Sequence, residues 1–283
     1  MKYVLTALIA VVAMMFVAAP VTADWDREQP AKWVQFPDPL GWDVDFVEDP
    51  QGLRRVRLAD DFPCTETGKI TDVHLWFSVR GDQIDPRQVI QKIQLSIHDN
   101  IPPNPTDPSF PWSRPADPPL WEDSFVPNSI RLVGTGEQGY LWPSPVNPEF
   151  IPPPDHLRIW QANILIDPAR AFEQKGTAAN PKIYWLDASV ILQPGVTFAD
   201  LGWKTSKDRW HPGPDLLDDD AVFWFNGSAT GGPPTGWYPI HDPRTGESLN
   251  LAFVITPEPG TVVMLIGAGL IGLVAYARRR RMR

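Results

Sequence analysis

The chain has 283 residues, with 25 Lys and Arg against 34 Asp and Glu, a formal net charge of −9, 33 prolines, 13 tryptophans and one cysteine. An acidic chain lacks the basic footprint that nucleic acid demands, which argues against a nucleic-acid partner. A lone Cys64 excludes an intramolecular disulfide, and its expected state is a buried thiol packing as a small apolar residue.

In chain order, Lys2 precedes an apolar stretch over residues 4–19, and Val21-Thr22-Ala23 sets small residues at the minus-three and minus-one positions. This pattern predicts a signal peptide, residues 1–23, cut by signal peptidase between Ala23 and Asp24. Residues 24–40 read as an irregular lead-in. Residues 42–47 alternate apolar with acidic, which predicts a half-buried strand. Residues 54–62 alternate likewise, Val56 and Leu58 inward and arginines outward, with Asp60 and Asp61 at the strand's end. Gly68 opens a strongly β-prone run over 69–80, and Gly81-Asp82 turns.

In residues 90–98, Ile93, Leu95 and Ile97 share one face and Gln94, Ser96 and His98 the other. Residues 101–119 are dense in proline, so they cannot form a helix or a central strand. Phe110 and Trp112 within them predict an ordered excursion. A strand follows at 120–126. Gly134 to Gly139 spell G-x-G-x-x-G, but Tyr140-Leu141-Trp142-Pro143 follows instead of a helix, so the reading is a glycine-rich turn. Residues 143–154 are again proline-rich and read as a candidate boundary between lobes. Further strands are predicted at 156–166, 183–192, 198–205, 222–225, 236–240 and 249–255. About ten to twelve short strands punctuated by Gly and Pro predict an all-β fold, an antiparallel sandwich of jelly-roll type.

At the C-terminus Pro257-Glu258-Pro259 precedes residues 261–277, which carry no charge. As a helix that run spans roughly 25 Å, a little short of a ~30 Å hydrocarbon core. Arg278, Arg279, Arg280, Arg281 and Arg283 follow, and the positive-inside rule leaves them in the cytoplasm. A core helix of a soluble domain would not end in such a cluster. The chain divides into 1–23, an exported body 24–256 and a C-terminal segment 257–283. With both ends set aside, the body holds 19 basic and 33 acidic residues, near −14.

The order Pro257-Glu258-Pro259, apolar span, arginine cluster closely resembles the PEP-CTERM sorting signal, which implies recognition by a membrane-embedded exosortase and delivery to the envelope or extracellular matrix. The body resembles an uncharacterised domain of exported planctomycete-type proteins. That likeness rests on Asp60-Asp61-Phe62 with Cys64, on Thr67 to Trp76, on Phe172-Glu173-Gln174, Tyr184-Trp185-Leu186 and Gly202 to Ser206, and on Asp219-Asp220-Ala221 and Ser248 to Phe253. It implies export and one β domain, and transfers no catalytic residue.

Enzymatic motifs are lacking: no H-E-x-x-H, G-x-S-x-G or Walker A sequence occurs. The five histidines are scattered, with no pair at ligand spacing. No cofactor is expected, except that Asp215, Asp218, Asp219 and Asp220 are candidate ligands of a structural calcium. Trp203 alternates inward, whereas Trp210 and Trp237, beside prolines, are candidate sugar-stacking rings. The leading expectation is a non-enzymatic structural or interaction sandwich. A carbohydrate-binding module for exopolysaccharide is the alternative, and a polysaccharide hydrolase the third reading.

Overall fold

Period-two alternation decides the architecture, because a strand whose alternate residues are apolar must turn that face to a partner sheet. The computed structural model describes Trp25 and residues 31–48, 57–196, 199–206, 221–227 and 232–256. Its strands are β1 (Trp33–Gln35), β2 (Trp42–Asp45), β3 (Leu58–Lys69), β4 (Asp72–Val79), β5 (Ile90–Ile101), β6 (Arg114–Pro115), β7 (Trp121–Phe125) and β8 (Ser129–Trp142). They continue as β9 (Glu149–Leu165), β10 (Glu173–Leu192), β11 (Leu201–Ser206), β12 (Val222–Phe225), β13 (Gly236–Pro239), β14 (Asn250–Leu251) and β15 (Phe253–Thr256). Among the described residues, helix is confined to short turns at Arg80–Asp82 and Pro86–Val89.

Two sheets result. One runs β1-β15-β4-β9-β8-β2-β11-β14, the other β13-β12-β3-β10-β5-β6, with β7 also paired to β5. Val44, Leu75, Phe77, Trp203 and Phe253 of the first pack against Phe62, Ile93, Leu95, Ile97 and Leu186 of the second. Phe62 and Phe253 meet edge to face across the seam at 6.2 Å. Burying each such side chain contributes about 1.5–3 kcal/mol, so the seam stabilises the sandwich most. Cys64 lies within β3 in this core, as expected; its thiol donates to the Glu66 carbonyl, and burial pushes its pKa up.

Several expectations change. The lead-in contains β1, zipped to β15 from Trp33↔Ile255 to Gln35↔Phe253. β2 is buried on both faces, and it pairs in parallel with β8, so the sheets are not wholly antiparallel. The run 69–80 breaks at Ile70-Thr71, where β3 ends and β4 begins. Asp60 and Asp61 lie in the middle of β3, and Asp60 accepts the Leu251 amide at 2.6 Å. The glycine motif is no turn but the bulged second half of β8, where a Cβ on Gly136 would lie 1.8 Å from the Pro39 carbonyl oxygen. Nor do residues 143–154 separate lobes: Glu149 to Ile151 pair with β8, and the register jumps from Tyr140↔Ile151 to Gln138↔His156. The prolines 152–154 occupy that jump, where no ladder amide is required.

β4, β9, β8, β2 and β11 pair in turn, and β11 returns to β4, so five strands of the first sheet close a circuit. Val44, Trp203, Phe77 and Leu141 face the seam, which leaves Asp43, Lys204, Ser78 and Tyr140 on the opposite side. That side is buried and polar. Lys204, 0% exposed, donates to Asp43 Oδ2 at 3.0 Å and to the Trp42 carbonyl. His156 lies 2.9 Å from the same Asp43 oxygen and 2.8 Å from Asp155, while Tyr140 donates to Asp45. Burial alone would pull the His156 imidazole down; the bonds to Asp43 and Asp155 outweigh it and hold its pKa above the ordinary histidine value.

A raised folded-state pKa means that His156 stabilises the fold fully below its unfolded value, about 6.5, and that this contribution is lost as pH rises through the folded value. The urea midpoint of His156→Gln, followed by far-ultraviolet circular dichroism, is therefore expected to fall furthest below wild type near pH 6, with the gap narrowing toward pH 9. A gap independent of pH would show that His156 is neutral in the fold.

Candidate functional site

The second sheet turns its other face outward, and alternation again decides what stands there. With Ile93, Leu95 and Ile97 inward, β5 sends Gln94, Ser96 and His98 out, as the sequence predicts. On β10, Leu186, Ala188 and Val190 face the core, so Trp185, Asp187 and Ser189 face out. Register aligns them. Asp187 lies opposite Ser96, and Ser96 opposite Glu122 of β7, so three strands contribute one transverse row. Ser189 lies opposite Gln94 in the next.

These rows floor a cavity of about 260 Å³, walled by Glu48, Arg57, Glu122 and the Asp117-Pro118-Pro119 end of the proline-dense excursion. The excursion is ordered, as predicted. Trp112 donates its indole N–H to the Trp237 carbonyl, and Phe110 packs edge to face on Tyr238 at 5.5 Å. It thereby holds Asp117 over the sheet.

Arg57 organises the cavity. Its Nε and Nη2 both donate to Asp187 Oδ2, at 2.7 and 2.6 Å, and its Nη1 stands 3.6 Å from Asp117. The guanidinium lies 4.9 Å over the Trp237 ring and 5.9 Å from Trp224, a cation–π seat. Burial would lower its pKa, but Asp187 outweighs burial and holds it above the ordinary value. His98 Nδ1 sits 2.7 Å from the Ala116 carbonyl oxygen and is assigned as donor to it. Nε2 then accepts from Arg57 Nη2 at 3.0 Å.

The floor keeps hydrogen-bonding capacity in hand. Asp187 is 3% exposed and spends Oδ2 on Arg57; its Oδ1 has no hydrogen bond to the described residues. Ser189 is 5% exposed, and its hydroxyl has none either. Ser96 donates to Glu122 at 3.2 Å. Both atoms open onto the cavity, so a ligand or water entering it meets an acceptor and a hydroxyl that no described side chain occupies.

The sequence-predicted site residues fare unevenly. Trp203 is inward, in the main core, as expected. Trp237 is a correction: it is 2% exposed, its ring enclosed by Arg57, His98 and Trp224, its indole N–H on Asp117. No sugar ring can stack there. Trp210, the candidate calcium ligands Asp215, Asp218, Asp219 and Asp220, the Ala23–Asp24 cleavage point, Pro257, Glu258, Pro259 and the C-terminal arginines lie outside the described residues. Among the described residues no three His, Cys, Asp or Glu side chains are placed to hold a metal, and no helix is long and apolar enough to cross a membrane. The sequence reading missed Asp187, Ser189, Glu122 and Arg57, whose proximity depends on register alone.

A family model described as a domain of unknown function, DUF7901, matches residues 31–256, and one described as the PEP-CTERM protein-sorting motif matches residues 256–281. No curated protein and no solved structure matches the chain.

Removing Arg57 strands a carboxylate under the excursion, and breaking one partner of a buried ion pair typically costs about 3 kcal/mol or more. Arg57→Met is expected to lower unfolding stability by about that amount in urea titrations, and Arg57→Met with Asp187→Leu to recover most of it. Equal losses in the single and double variants would show that packing on Trp237, not the ion pair, is what matters.

Proposed function

The chain belongs to the DUF7901 family, and from that premise we propose that its body, residues 24–256, is a non-catalytic binding module for a hydroxyl-rich polymer, a glycan of the cell envelope or extracellular matrix. The PEP-CTERM motif marks the protein for exosortase-dependent export toward the cell envelope. In the fuller reading, signal peptidase cuts after Ala23 and a C-terminal helix over 261–277 anchors the precursor with its arginines in the cytoplasm. Exosortase then acts at Pro257-Glu258-Pro259.

The observation that carries the binding reading is the pair of groups, Asp187 Oδ1 and Ser189 Oγ, that line the floor of an open cavity and make no hydrogen bond to the described residues. Around them stand an amide, a second hydroxyl and carboxylates (Gln94, Ser96, Glu122, Asp117). Sugar hydroxyls both donate and accept, and this mixture serves both needs, whereas an apolar ligand would leave the floor unpaired. This reading rests on hydrogen bonds across strands in place of stacking on Trp237, which is buried.

Calorimetric titration of the full chain in detergent with exopolysaccharide from the producing cells is expected to give saturable heat. Gln94→Ala should weaken binding by roughly tenfold, the equivalent of one hydrogen bond of about 1.4 kcal/mol, with the urea midpoint unchanged. Absence of saturable heat would contradict the reading. Release of reducing ends that disappears in Glu122→Gln would contradict its non-catalytic part.

A further inference from the structure

The cavity's charge selects among glycans. Asp117, Glu122 and Asp187 all act on Arg57, so three carboxylates share one guanidinium. Arg57 forms one wall of the cavity and is committed there, at 2.6 Å to Asp187 and 3.6 Å to Asp117. Asp187 Oδ1 lines the floor with no hydrogen bond to the described residues, and Glu122, exposed on the neighbouring strand, spends one oxygen on Ser96. Strands β10 and β7 flank β5 at about 4.8 Å each, so the two carboxylates bracket a gap roughly one sugar ring wide. The body around them is itself near −14. A ligand bearing carboxylates meets repulsion there, and a neutral one leaves surplus negative charge unmatched.

We infer that the Asp187–Ser96–Glu122 row takes an amine-bearing glycan, with the ammonium of a 2-amino sugar on Glu122 and a hydroxyl of the same ring on Asp187 Oδ1. This rests on the glycan-binding reading and names the class of sugar. Each ammonium N–H to a carboxylate is a charge-assisted bond, stronger than the neutral bond that an N-acetyl group supplies in its place.

The test is titration of the full chain in detergent, at a pH where the amine is protonated, with a glucosamine hexamer, its N-acetylated counterpart and a galacturonate hexamer. The free-amine hexamer is expected to bind about tenfold tighter than the acetylated one, and the galacturonate most weakly. Glu122→Gln, at an exposed position and checked by an unchanged urea midpoint, is expected to weaken the free-amine hexamer about tenfold and the acetylated one less, so that the amine preference is lost. Equal or tighter binding of the acetylated hexamer or the uronate would overturn the amine assignment and leave the glycan reading standing. A preference that survives Glu122→Gln would overturn the assignment to this row. Failure of all three oligomers to bind would overturn both.

Discussion

Everything in this fold depends on the pleat. Each long strand must give alternate residues to the seam between the sheets, and the residues between them have no choice but to face the other way. On β5 and β10 the seam takes Ile93, Leu95, Ile97, Leu186, Ala188 and Val190. That commitment, and the register it fixes, sets Asp187, Ser96 and Glu122 side by side. A one-residue slip would bury the carboxylate in the seam and eject the aliphatics, so the apolar face enforces the polar one.

The two outward faces have different fates. On the first sheet five strands close on themselves, and Lys204, Asp43, His156 and Asp155 pair with one another on its largely buried far side, with Asp43 Oδ1 left without a hydrogen bond among the described residues. Such a network favours one arrangement over others more than it adds net stability, since desolvating its charges consumes most of their attraction. On the second sheet the excursion roofs the face only partly, and the ion pair of Arg57 with Asp187 stands beside open space. Similar chemistry is enclosed in one place and stands beside open space in the other, and access is the difference.

The fold class was legible from alternation, and so was the polar face of β5, because both are local properties of the chain. The sorting signal was legible too, as three ordered features in sequence. What escaped was non-local. β1 is short and depends on β15, more than 200 residues later, for its ladder. Gly136 and Gly139 looked like a turn because their reason, close approach of the segment from Pro39 to Trp42, lies far back in the chain. Prolines 152–154 looked like a boundary because nothing local announces the register jump that accommodates them. Trp237 looked exposed beside its proline, yet Arg57 and the excursion close over it. The candidate site draws on five separate stretches, each ordinary by itself, and only the fold brings them together.

The most direct measurement of the central claim is thiol accessibility. Ser189→Cys puts a thiol on the cavity floor of the folded protein, whereas the native Cys64 is buried in the core and serves as an internal reference. If the outer face of β10 is an open binding floor, a maleimide reagent modifies position 189 under native conditions, leaves Cys64 untouched, and is slowed by saturating glucosamine hexamer. A position 189 as inert as Cys64, or one whose labelling the hexamer leaves unchanged, would contradict the account.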